Sequence, residues 1–202
     1  MTEHSAPVVG GIALLERAIN YTLGSLHLVT PQVMLHPTPC RDWDLCALLG
    51  HMNDSLRALS EAVQTGRVRL DDRVDEALGS VDQPWGVEPV ASLRSRACHM
   101  LGEWSRGGGV ETISIAGYPV SAGIVTATGA IEVAVHGWDV AVACGWPRPI
   151  PSSLAADLLE LARLLVTDTD RPARFAAPVA VSPPARPSDR LVAFLGRDPA
   201  AG

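Results

Sequence analysis

Apolar positions recur at helical spacing in five stretches of the chain. Over residues 11–29, GIALLERAINYTLGSLHLV, Leu14, Leu15, Ala18, Ile19, Leu23 and Leu26 share one side of a 3.6-residue repeat, and the Pro31 to Pro39 segment ends the run. A second helix is predicted within RDWDLCALLGHMNDSLRALSEAV, capped by Asp42 or Asp44 and closed near Gly66. Its expected buried stripe is Leu45, Leu48, Leu49, Met52, Leu56, Leu59 and Val63. Residues 66–87 are charged and turn-rich and read as a connecting loop. A third helix is expected from about Pro89 to Ser105, stopping at the glycines of residues 107–109. The segment VETISIAGYPVSAG reads as a short strand or extended loop with a turn at Tyr118-Pro119.

The fourth helix is expected from about Ile124 to Cys144, ending at Gly145 before the proline-rich WPRPIP. Pro151 or Ser152 opens a fifth, SLAADLLELARLLV. The tail, FAAPVAVSPPARPSDRLVAFLGRDP, alternates, turns on prolines and closes with a short helix from about Ser188 to Leu195. Five helices with short connections and one dominant core predict an all-α fold, a four-helix bundle with an extra helix. Residues 1–170 are read as the bundle, and residues 171–202 as a tail packed on it, not an independent domain.

Composition narrows the function classes. Hydrophobic residues make up 47% of the 202, charged residues 19%, so the chain is able to bury a real core. A formal charge of −6 without a basic cluster argues against a nucleic-acid binder. All 16 cationic Lys+Arg residues are Arg, which removes Schiff-base chemistry, a lysine general base and a P-loop lysine together. Cys40, Cys46, Cys98 and Cys144 fit neither a zinc knuckle nor a disulfide framework and read as scattered reduced thiols. The N-terminus lacks a basic n-region, and no apolar run approaches the roughly 20 residues that span a bilayer. A soluble cytoplasmic protein, without membrane or nucleic-acid partners, is the expectation.

One short stretch departs from this bland composition. IEVAVHGWDVAVACG places Glu132 and His136 four residues apart inside an otherwise apolar run. On an α-helix such a pair shares one face, with Cβ atoms about 5–6 Å apart. The pair is either a plain hydrogen bond or salt bridge, or two ligands of one metal ion. His51, beside Leu48 and Met52 at the edge of the second helix's stripe, is either a satisfied rim histidine or the third ligand. If the second and fourth helices are neighbours, a His/Glu/His set converges, and three protein ligands with one open position is the pattern of a catalytic zinc site.

The sequence around these residues also carries a resemblance. HPTPCRDWDLCALLGHM, VHGWDVAVACG and PVAVSPPARPSDRLVAFLGRDP resemble, in order, signature regions of the mycothiol-dependent maleylpyruvate isomerase-like proteins of the DinB superfamily. The T-P-C-x-D-W stretch and H-G-W-D are its specific parts. The resemblance implies a DinB-like four-helix bundle that binds zinc or another divalent metal through His51, Glu132 and His136. It implies a zinc-dependent thiol S-transferase or isomerase, activating mycothiol or a similar thiol as a metal-bound thiolate for attack on an electrophilic small molecule. The larger isomerases of the family add a C-terminal domain, where this chain has a short tail. The other reading is a metal-binding bundle without thiol chemistry, acting as a small-molecule-binding protein or as a repurposed lyase or cyclase. A homodimer is compatible with either.

Several residues are candidates for support. Asp139 and Asp54, each three positions after a candidate histidine, are placed to orient a ligand ring or to be solvated helix charges. Trp43 and Trp138 line a cavity or pack the core. His99 is the alternative third ligand or a general base. Arg94, Arg96 and Arg106 meet a substrate carboxylate or face solvent. Cys46 and Cys144 read as small hydrophobes, Cys144 with possible redox sensitivity, and His4 and His27 fall outside any constellation.

Overall fold

A computed structural model describes residues 6–40, 43–68, 88–106, 110–172 and 174–201. Its helices are α1 (Ala6–Ser25), α2 (Leu45–Thr65), α3 (Glu88–Arg106), α4 (Ala122–Ala143), α5 (Ser152–Leu165) and α6 (Pro187–Phe194). Three short strands, β1 (Arg67–Val68), β2 (Thr112–Ile115) and β3 (Tyr118–Ser121), accompany them. The first four helices form the bundle: α1 packs on α4 and α3, and α2 on α3 and α4. Helix α5 lies on α4, and α6 on α5.

Helix α4 is central because its sequence leaves it no polar face. A helix that is apolar all round has to be surrounded, and 17 of its 22 residues are buried. Small residues let its neighbours come close. A Cβ on Gly137 would stand 2.2 Å from Thr22 Oγ1, and one on Gly129 would stand 2.9 Å from the Leu59 methyls. The Thr22 hydroxyl donates to the Val133 carbonyl at 2.7 Å, a side-chain tie between α1 and α4.

Helix α2 is amphipathic, and every residue of its predicted stripe is buried. Asp44 is its cap: the carboxylate accepts from Ala47 N at 2.8 Å. Asp42, the other candidate cap, lies outside the described residues. The helix ends at Gly66, whose φ of 66° is the left-handed conformation that glycine adopts at no steric cost. Ahead of α2, Leu45 N bonds to His36 O and Thr38 N to Trp43 O, so residues 36–38 are braced against residues 43–45.

The segment at 110–123 differs from its expected form. It is a hairpin, with Thr112 opposite Ser121 and Ile115 opposite Tyr118. The turn falls at Ala116 and Gly117, which have φ of 48° and 86°, and not at Tyr118-Pro119. Pro119 sits in β3, the edge strand of the order β1-β2-β3, where a missing N–H costs no ladder bond. Strand β1 adds in parallel to β2, pairing Arg67 with Ser114, although that segment reads from sequence as loop. The remainder of the predicted loop, residues 69–87, lies outside the described residues. No described helix is long and apolar enough to cross a membrane.

Candidate metal centre

His51 is on α2, and Glu132 and His136 are on α4. Packing of α2 against α4 brings the three side chains together, and their ligand-type atoms all lie within 4.8 Å of one another. Glu132 Oε1 is the meeting point, 2.5 Å from His51 Nε2 and 3.2 Å from His136 Nε2. The i,i+4 spacing on α4 places the carboxylate and imidazole on one face. The third group arrives only through tertiary packing, across 81 residues of chain.

The site has a buried side and an open side. The His136 side chain is 7% exposed, whereas those of His51 and Glu132 are 29% and 31% exposed. The Trp43 ring covers one flank, its centroid 4.5 Å from that of His51 and 6.2 Å from that of His136. The braced loop before α2 is what sets that ring in place. Between α1, α2, α3 and α4 runs a narrow apolar pocket, walled by Ile19, Leu23, Met52, Leu56, Leu93 and Ala97, that reaches Glu132 and His136.

Electrostatics hold the charges as drawn. Burial by itself would raise the Glu132 pKa, but His136 and His51 outweigh it and keep the group well below the ordinary carboxylate value. Burial by itself would lower His136. Glu132 on Nε2 and Asp139 on Nδ1 win instead and raise it to about 9. Asp139 is fully buried and pairs at 2.9 Å with His136 Nδ1. As an anionic carboxylate it only accepts, so Nδ1 is the donor and Nε2 is the nitrogen presented to Glu132 and His51. Burial pushes Asp139 up, while the Arg197 guanidinium and His136 pull it down further, leaving it ionised.

A divalent cation fits this donor set. Two imidazole nitrogens and one carboxylate oxygen are the ligand types that zinc takes, and the open side leaves room for a further ligand. Both Nε2 atoms converge on a single carboxylate oxygen. The protons that carry those contacts are the ones a cation would replace. Asp139 supplies the carboxylate–histidine pairing that orients metal-bound imidazoles.

The other candidates separate cleanly. Asp54 lies 3.6 Å from Arg57 in an exposed ion pair and does not reach His51. His99 is exposed and pairs with Glu103 at 3.4 Å on α3, outside the cluster. Arg94 donates to His27 Nδ1 at 3.0 Å, Arg96 touches Ser92, and Arg106 is exposed in the last turn of α3. None of the three lines the pocket. Trp138 is buried in the hydrophobic core. Cys46 is half-buried and packs against the core, and Cys144 is buried within it. His4 lies outside the described residues.

Two neighbours of the site were not among the candidates. Cys40 places its sulfur with His136 and Asp139 in a second group whose ligand-type atoms lie within 4.8 Å. Arg197, 8% exposed, donates from Nη2 to Asp139 at 3.0 Å. The one signal in the sequence was Gly196 directly after a short helix, which marks a C-terminal cap but says nothing of where the next residue points.

No curated protein matches the chain, and no solved structure does. Residues 15–141 match the model of the mycothiol maleylpyruvate isomerase N-terminal domain, a span that contains α2, almost all of α4 and all three residues of the cluster. The chain therefore belongs to the family of mycothiol maleylpyruvate isomerase N-terminal domains.

Proposed function

We propose that His51, Glu132 and His136 hold a divalent metal, zinc by their chemistry, and that the protein is a thiol S-transferase or isomerase. Its cosubstrate is a low-molecular-weight thiol, mycothiol by family, and its second substrate an electrophilic small molecule. The observation that supports this most is the convergence of two imidazoles and a carboxylate within 4.8 Å beside an open face. When bound, zinc would supply a Lewis acid that lowers the pKa of a coordinated thiol, so that the thiol gives up its proton to solvent near neutral pH.

The chain's own part is to position and to exclude. Asp139 keeps the His136 ring turned so that Nε2 faces the site. Trp43 packs on the His51 ring and restricts its rotation. The exposed edge of His51 and Glu132 is the side from which a hydrophilic thiol reaches the centre. The apolar wall of the inner pocket keeps water away from the opposite side. Among the described residues no serine–histidine–carboxylate triad is needed, because the nucleophile is the thiol itself.

The pocket also favours a second reading. Most of its lining is apolar and no arginine is among it, so a bundle that binds an apolar small molecule beside its metal without thiol chemistry suits that wall. Metal analysis of protein purified without chelator tests the common part. About one zinc per chain is expected, falling to near zero in His51→Ala and His136→Ala. Stoichiometric zinc in His136→Ala would overturn the ligand assignment. Thermal stabilisation of the zinc form by mycothiol supports thiol chemistry, because a ligand specific to the folded state raises apparent stability. Stabilisation by an apolar small molecule and by no thiol supports the second reading.

A further inference from the structure

The metal centre does not end at the bundle. We infer that Arg197, carried by the C-terminal tail, is a positioning residue of the centre: it holds Asp139 in place, and Asp139 in turn holds His136. This inference rests on the reading of His136 as a metal ligand.

The geometry begins with the end of α6. Gly196 N bonds to Ala193 O at 3.0 Å and Arg197 N to Val192 O at 2.9 Å, the paired closing bonds of a Schellman cap. Gly196 has φ of 83°, and a Cβ there would meet Ala176 O at 2.7 Å, so no other residue makes this turn without displacing the chain beside it. The cap reverses the backbone and aims the next side chain inward. Arg197 follows it into the protein and lies 8% exposed.

Each of the three guanidinium nitrogens is then engaged. Nη2 donates to Asp139 Oδ2 at 3.0 Å, Nε points to Oδ1 at 3.4 Å, and Nη1 donates to Leu195 O at 3.0 Å. A planar fork on a carboxylate fixes orientation as well as charge, which a lysine does not reproduce. Oδ2, the oxygen that Arg197 grips, is also the one that accepts from His136 Nδ1 at 2.9 Å. The line therefore runs Arg197, Asp139, His136, Glu132, each link a direct side-chain contact, and three of the four residues are buried. A buried carboxylate facing one histidine without a cation would be expensive, and Arg197 is the only arginine among the described residues that reaches it.

The tail is anchored for this task. Val179 N bonds to Ala193 O, Ile150 N donates to Ser188 Oγ at 3.0 Å, and Arg171 Nη2 donates to Phe194 O at 2.8 Å. The Ser188 contact holds the start of α6, and those at Ala193 and Phe194 hold the end that presents Arg197. A segment outside the family match thus supplies a residue to a site inside it.

The test compares the full chain with Arg197→Met, which keeps the length and loses charge and fork, and with Arg197→Lys, which keeps the charge alone. Zinc affinity is measured by competition with a chromophoric chelator, alongside the thermal midpoint of the zinc-free protein. Removing a residue that orients a metal-bound histidine weakens metal binding by roughly 10- to 100-fold. That loss is expected for Arg197→Met, a smaller one for Arg197→Lys, and no further loss when Arg197→Met is added to Asp139→Asn. A merely structural role lowers the thermal midpoint and leaves zinc affinity within about twofold, and this result would overturn the inference. If Arg197→Met does not fold, Arg197→Lys decides by the same criterion.

One readout needs no metal at all. In the zinc-free protein, the His136 Nδ1 proton held by Asp139 is expected as a slowly exchanging downfield resonance that is lost in Arg197→Met. Its persistence in the variant overturns the inference. If the wild-type chain binds no zinc, the metal reading fails by itself, and this proton still decides whether Arg197 positions Asp139.

Discussion

At the scale of single residues, the site turns on the difference between two aspartates placed alike in the sequence. Asp54 and Asp139 each follow a candidate histidine by three residues, but Asp54 lies on the solvent face of α2 beside Arg57, while Asp139 is on a helix buried all round. Burial is what makes the second pairing strong: with no water to compete, His136 and Arg197 are the partners of Asp139. The cysteines divide by the same rule. Burial pushes the Cys144 thiol up to about 11, so below that pH it stays protonated and unreactive. Alkylation at pH 8, followed by mass spectrometry, is expected to label exposed Cys98 first and to leave Cys144 unmodified until the pH nears 11. Cys144 is thus a packing residue, and the redox sensitivity weighed for it has no support at neutral pH.

Helices set the site through their ends and their faces. Asp44 caps α2 two turns before His51, so loss of the cap frays the segment that carries this proposed ligand. Asp44→Ala is expected to cost about 1 kcal/mol of stability, read by urea unfolding. The contact of α1 with α4 is sharper, because Gly137 lies directly beside Thr22, one residue from His136. Gly137→Ala forces a methyl into that contact and is expected to destabilise by roughly 1–3 kcal/mol, despite the better helix propensity of alanine. Equal or higher stability in the same unfolding assay would show that the two helices part readily. The helices themselves were legible from periodicity, and all seven residues of the expected α2 stripe are buried, with Ala62 joining them. The hairpin was not fully so: the left-handed Ala116 that makes its turn is a conformation most residues avoid, and Pro119 drew the expected turn to itself.

For the molecule as a whole, a metal held by two different helices acts as a cross-link that exists only in the folded state. Zinc at 100 times its Kd is expected to add about 2.7 kcal/mol to the unfolding free energy. Thermal unfolding with and without chelator measures this, and His51→Ala is expected to abolish the increment. The same scale explains what the sequence did and did not disclose. Glu132 and His136 are four residues apart and share a face by helical geometry alone, and His51 became a candidate because it stands at the edge of a predicted stripe. Arg197, in contrast, is 58 residues from Asp139, and no local pattern links them.

What the amino-acid sequence determined by itself was therefore the local part: helices from apolar spacing, the α2 cap narrowed to Asp42 or Asp44, its end at Gly66, the i,i+4 pair on α4, and the family from its motifs. What only the tertiary structure decided was which groups meet. Helix periodicity states which face is apolar but not which neighbour covers it, so the pairing of α2 with α4, the exclusion of His99 and Asp54, and the reach of the tail to Asp139 all had to wait for packing.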